Sequence, residues 1–82
     1  MTELNKSLES AILDLLAQRG PGKTICPSDA ARHVDPKRWR NLMDKTREAA
    51  QRLVAQGTIV VTQQGRIVDP SKSKGPIRLK FR

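Results

Sequence analysis

The side chains with the most chemical potential in this sequence are cations near its end. Arg66, Lys72, Lys74, Arg78, Lys80 and Arg82 fall within seventeen residues and are opposed only by Asp69. Lys72 and Lys74 alternate with serines in what reads as a flexible loop, able to reach a phosphate backbone or a minor groove. The same residues also fit a solvated loop followed by an edge strand that Lys and Arg guard against sheet-to-sheet pairing. A second set lies earlier. On a helical wheel, Arg40, Lys45, Arg47 and Arg52 border one face as phosphate or guanine contacts, with Asn41 and Gln51 as weaker readers of adenine. Asp44 and Glu48 occupy the outermost part of that face, where they repel phosphate. Their spacing also fits ordinary helical ion pairs, Asp44 with Arg47 and Glu48 with Arg52, contributing about 0.2–0.5 kcal/mol each.

The charge behind these sets is uneven. Sixteen Lys and Arg face eight Asp and Glu, a formal net charge of +8. Residues 1–29 carry three basic and four acidic side chains, whereas residues 30–82 carry thirteen and four. A basic half beside a near-neutral half points to an electrostatic binding face; the plainer alternative is a soluble protein that happens to be basic. Exposed aromatic platforms of the kind that bind single strands are scarce, because the chain has one Trp, one Phe and no Tyr. Trp39 falls on an apolar stripe and is read as core.

Nothing groups into a catalytic constellation. Gly20-Pro21-Gly22-Lys23-Thr24 lacks the spacing of a phosphate loop and follows a helix, not a strand. His33 has no partners for a ligand or triad role and reads as a helix-end residue. Cys26, the one cysteine, rules out an internal disulfide and a zinc finger and reads as a small buried residue at a strand end. The expectation is no enzyme activity, no cofactor and no metal.

The elements that must position the cations are readable from periodicity. Leu4, Leu8, Ile12, Leu15 and Leu16 define a first helix that Gly20 and Pro21 stop. Thr24-Ile25-Cys26 is a short run that needs a later strand to pair with. Pro27-Ser28-Asp29 opens a second helix to about His33. From Asp35-Pro36 to Gln56 the apolar stripe is Trp39, Leu42, Met43, Thr46, Ala49, Ala50, Leu53 and Val54. It fits one long helix or, better, a short turn over 36–41 and a main helix from about Met43. Thr58–Thr62 is the strongest strand, Gly65 turns it, Arg66-Ile67-Val68 returns, and residues 69–76 form a loop. Residues 77–82 alternate apolar and basic, giving one buried and one positive face.

The sum is a single α+β domain over residues 1–82. It is a winged helix-turn-helix with a three-helix core, room for an extra short helical turn, and a small antiparallel sheet with a wing. The start MTELNKSLES has no basic segment leading into an apolar run, so no signal peptide is expected. No stretch approaches the roughly 20 apolar residues that span a bilayer. The expected setting is the cytoplasm, away from membranes. No segment other than the first helix reads as a dimerisation helix.

Trp39-Arg40, Leu42-Met43, Arg47 with Ala50 and Leu53, and Gly57 with Ile59 resemble the middle of a small bacterial family of unknown function with a winged-helix fold. Gly65, Val68-Asp69-Pro70 and Gly75-Pro76-Ile77-Arg78-Leu79 resemble its ending. The resemblance covers nearly the whole chain and implies the fold, with a DNA-binding role inferred from it. It transfers no functional residues, since the family carries no established activity. The sequence therefore points to a double-stranded DNA-binding module, with backbone-dominated contact through the third helix and the basic wing. A protein-interaction winged helix is the rival, and its mark would be an exposed apolar patch at Leu4 and Leu8.

Overall fold

The computed structural model describes residues 3–82. Three helices, α1 (Glu3–Arg19), α2 (Pro27–Val34) and α3 (Met43–Ala55), are combined with strands β1 (Thr24–Ile25), β2 (Ile59–Gln63), β3 (Arg66–Val68) and β4 (Arg78–Phe81). A 3-10 turn (Trp39–Leu42) precedes α3. The architecture is α+β, with an antiparallel sheet in the order β1-β4-β2-β3, an arrangement compatible with a winged helix.

Helical spacing of apolar side chains gives α1 its inner face. Leu8, Ala11, Ile12 and Leu16 are buried, each large one contributing about 1.5–3 kcal/mol on leaving water. Leu8 is fully buried and Leu4 packs against the core cluster. The apolar patch that would mark a protein-interaction surface on this helix is therefore absent at these two residues. Arg19 closes the helix, with Nη1 donating to Thr24 O at 3.2 Å and Nη2 lying 3.6 Å from Asp29. Asp29 Oδ2 in turn accepts the Cys26 N–H at 2.9 Å, satisfying a donor at the start of α2.

The two-piece reading of the long stripe is the one observed. Asp35 turns the chain: its Oδ1 accepts the backbone N–H of both Lys37 and Arg38 at 3.1 Å. The 3-10 turn then hands over to α3 at Met43. Thr46, fully buried at this junction, donates its hydroxyl to Leu42 O at 2.7 Å, so its burial leaves no orphaned group. Gly57 ends α3. Its φ is +78°, its N–H donates to Val54 O and that of Thr58 to Leu53 O, the paired bonds of a Schellman motif.

The sheet register sorts side chains by face. Ile25, Leu79, Val61 and Val68 form one cross-strand row toward the helices. Thr24, Lys80 and Val60 form a row on the opposite face, as do Arg78, Thr62 and Ile67. The alternation expected over 77–82 holds at Ile77 and Leu79, which are buried, and at Arg78 and Arg82, which are exposed, whereas Lys80 and Phe81 between them are both half-buried. One reading changes. β4 lies between β1 and β2, so its cations guard no edge; the outer strands are β1 and β3.

Trp39 also differs from expectation. It is half-buried and stands outside the core cluster. The 3-10 turn winds at about three residues per turn and α3 at about 3.6, so a stripe drawn with one period through both pieces misplaces Trp39. The wing loop is not slack either. Asp69 O accepts the N–H of Lys72 and Ser73 at 3.1 Å, and its Oδ1 accepts both the N–H and the hydroxyl of Ser71.

Candidate functional site

The structure joins the wing loop to the third helix. Arg47 Nη2 donates to Gly75 O at 3.1 Å. Gln63 Nε2 donates to Lys74 O at 2.5 Å and Pro76 O at 3.2 Å. These bonds hold the Lys74–Pro76 segment between α3 and the end of the β2–β3 hairpin. Arg66 stands opposite Gln63 in the register, so the Arg47 guanidinium and the backbone of Arg66 and Lys74 lie at the same end of the hairpin. Lys72 is exposed on the turn that Asp69 organises.

Asp69 is held below the ordinary carboxylate range, chiefly by the Ser71 hydroxyl, then by the Ser71 N–H, with a smaller favourable charge effect from Lys72. Its negative charge is thus spent on turn geometry within the loop.

Other members of the expected set are placed elsewhere. Arg78 and Lys80 lie on the sheet face turned away from the helices. Arg78 is also tied down: Nε donates to Thr24 Oγ1 at 3.0 Å, Nη2 to Thr24 O at 3.4 Å, and Nη1 lies 2.6 Å from Cys26 Sγ. Cys26 is accordingly half-buried beside a guanidinium. Arg52 pairs with Glu9 of α1 at 2.7 Å and is partly buried there, which replaces the expected pairing with Glu48. The expected Asp44–Arg47 pair gives way to the Arg47–Gly75 bond. Both pairings were invisible from local spacing because their partners come from distant parts of the chain.

The exposed face of α3 carries Asp44, Lys45, Glu48 and Gln51. With Arg52 paired, Lys45 and Arg47 are balanced by Asp44 and Glu48, so this face is electrically near neutral. The acids fall where the helical wheel puts them.

One grouping escaped the sequence reading. The guanidinium of Arg32 lies over the Trp39 ring with Cζ 4.2 Å from its centroid, and that of Arg40 lies over the same ring at 4.5 Å. Such contacts contribute about 0.5–1 kcal/mol at exposed sites. The available signal was the density of cations, with Arg32, Lys37, Arg38 and Arg40 in nine residues against Asp35. Among the described residues no group of three or more His, Cys, Asp or Glu side chains is placed to hold a metal, and no helix is long and apolar enough to cross a membrane.

The chain belongs to DUF3253, a family of proteins of unknown function, whose model matches residues 5–82. No curated protein matches it.

Proposed function

We propose that the chain binds double-stranded DNA as a single winged-helix domain, through the phosphate backbone more than through base edges, and that this binding, not catalysis, is its role. The observation that carries the reading is the docking of the wing loop onto α3 through Arg47 and Gln63. It places the Arg47 guanidinium at the same end of the hairpin as the backbone of Arg66 and Lys74, with Lys72 on the adjoining turn and Arg40, Lys45 and Gln51 along the exposed side of the 3-10 turn and α3. None of these cations has a carboxylate within ion-pair distance among the described residues. Arg78 and Lys80, on the other sheet face, add to the overall field rather than to this contact. Arg52 contributes structure. A cytoplasmic setting goes with this reading, as Cys26 has no second cysteine in the chain to pair with.

Modest sequence selectivity follows from the near-neutral face of α3, which offers few unopposed donors to base edges. Fluorescence anisotropy with a labelled mixed-sequence duplex at several salt concentrations tests the proposal. Neutralising four phosphates gives a slope of log affinity against log salt of about −3.6. No binding at about 10 μM protein in low salt, within the usual non-specific range, sinks it.

Protein interaction is the second reading, and one observation favours it: Ile67 on β3 is 72% exposed. Amide shift changes on adding a random duplex separate the two. Changes over residues 40–51 and 66–76 support DNA, and none anywhere supports a protein partner.

A further inference from the structure

The connector between α2 and α3 is the most cationic stretch that the proposed contact leaves unused apart from Arg40. Arg32, His33, Lys37, Arg38 and Arg40 are all exposed. The only acid in the stretch, Asp35, has its Oδ1 occupied by the N–H groups of Lys37 and Arg38. The guanidiniums of Arg32 and Arg40 both lie over the one indole, with no carboxylate within ion-pair distance of either among the described residues. Two unneutralised cations held on one ring raise the local positive potential, and an anion beside them lowers it.

We infer that Arg32 and Arg40, oriented by Trp39, form a phosphodiester-binding clamp and that Lys37 and Arg38 extend it along the nucleic-acid backbone. This rests on the DNA-binding reading and adds a second contact surface to it. A guanidinium stacked on an aromatic ring is held in one plane while its N–H edge stays free, the geometry for bidentate contact with phosphate oxygens. The ring itself is half-buried with two guanidiniums over it, so base stacking is not what it offers. The cations are strung along the connector with no apolar pocket between them. That suits a polyanion of evenly spaced charges better than an acidic peptide, whose side chains need seats. The connector also runs straight into the start of α3, so a backbone held here continues onto Lys45.

Trp39 is the only tryptophan, and the chain has no tyrosine, so its emission reports this site directly. The experiment titrates the full chain with a mixed-sequence duplex of about two helical turns. Trp39 emission and duplex anisotropy are followed together over a range of salt. Three double variants accompany the wild type: Arg32→Gln with Arg40→Gln, Arg32→Lys with Arg40→Lys, and Lys72→Gln with Lys74→Gln. Expected in the wild type is an emission change that saturates with the anisotropy. The Gln pair at the clamp binds more weakly, with a salt slope shallower by about 1.8. The Lys pair keeps the wild-type slope, because charge is retained, but binds more weakly because planar bidentate contact is lost. The wing pair has a shallower slope and keeps the emission change.

Duplex binding by the wild type with Trp39 emission unmoved, or with the wild-type slope retained in the Gln pair, overturns the clamp while leaving the DNA reading standing. Failure of the wild type to bind any duplex overturns both. A decaglutamate peptide that moves Trp39 emission as strongly as the duplex, at equal charge concentration, also overturns the clamp and points to an acidic protein partner.

Discussion

Arg47 and Arg52 sit five residues apart on α3 and are used differently. Arg52 is partly buried against Glu9, whose side chain is 13% exposed, and its Nη2 is buried without a partner. Removing it leaves a largely buried carboxylate unmatched, so Arg52→Gln is expected to lower stability by about 1–3 kcal/mol, or about 4–8 °C in Tm for each kcal/mol in a domain this small. The salt slope of DNA binding stays unchanged. Arg47→Gln gives the converse, a slope shallower by about 0.9 with a smaller loss of stability than Arg52→Gln, since an exposed bond to Gly75 O is lost and no buried charge is left unmatched. Thermal melts and anisotropy titrations on both variants check the pair. Asp69 adds a pH dependence. Its folded pKa is lowered by Ser71 and Lys72, so the support it gives the loop is complete above the ordinary aspartate value of about 3.9 and is lost as pH falls through the lower folded value. The Ser71 and Lys72 amide resonances should hold steady as pH falls through the ordinary aspartate value and move only at more acidic pH. Asp69→Asn abolishes that acid transition.

At the scale of elements, the hairpin turn holds an awkward residue. Gln64 has φ +53° and Gly65 φ +81°, the two positive values of a type I′ turn. Gly65 adopts this freely and Gln64 does not. Gln64→Asn is expected to raise stability by about 0.5–1 kcal/mol, since Asn visits the left-handed region more readily; a thermal melt reads it. The positive φ at Gly65 is legible in the sequence, whereas that at Gln64 follows from a two-residue loop whose length only strand pairing sets. The same contrast runs through the molecule. Helix starts and stops at Pro27, Gly20 and Gly57 and the alternation of β4 come from local residue chemistry and are legible, whereas the break at Met43 is left open by periodicity alone and is favoured only by the helix length the fold expects. The Arg52–Glu9 pair, the Arg47–Gly75 bond and the Arg32–Trp39 stack join residues brought close by folding, and spacing along the chain carries no trace of them. For the site, the cations are legible and their grouping is not. On α3, Asp44 and Glu48 are expected to oppose phosphate, so Asp44→Asn with Glu48→Gln should tighten duplex binding, most of all at low salt. Unchanged affinity would mean that this face of α3 points away from the duplex.

Over the whole molecule the charge is arranged as basic flanks around a neutral centre. Before α3 in the chain come Arg32 at the end of α2 and Lys37, Arg38 and Arg40 in the connector, and after it come Arg66, Lys72 and Lys74 in the wing, while the acids and bases of α3 offset one another. Each good bidentate base contact discriminates by about 1–3 kcal/mol, and a neutral face with acids at its centre supplies few of them. On the DNA-binding proposal the flanks meet phosphates, which are alike in every sequence. A domain that binds DNA this way follows the duplex by shape and charge. Its longest dimension is 30 Å, which spans about nine base pairs at 3.4 Å each. Titration of a long mixed-sequence duplex should therefore saturate near one chain per nine or ten base pairs. Duplexes of equal length and different sequence should bind within about tenfold of one another, well short of the 10³-fold or greater preference typical of sequence-specific proteins. A single short sequence selected from a random pool and bound about 10³-fold more tightly than the rest would show that α3 reads base edges despite Asp44 and Glu48, with those carboxylates then accepting from cytosine amino groups.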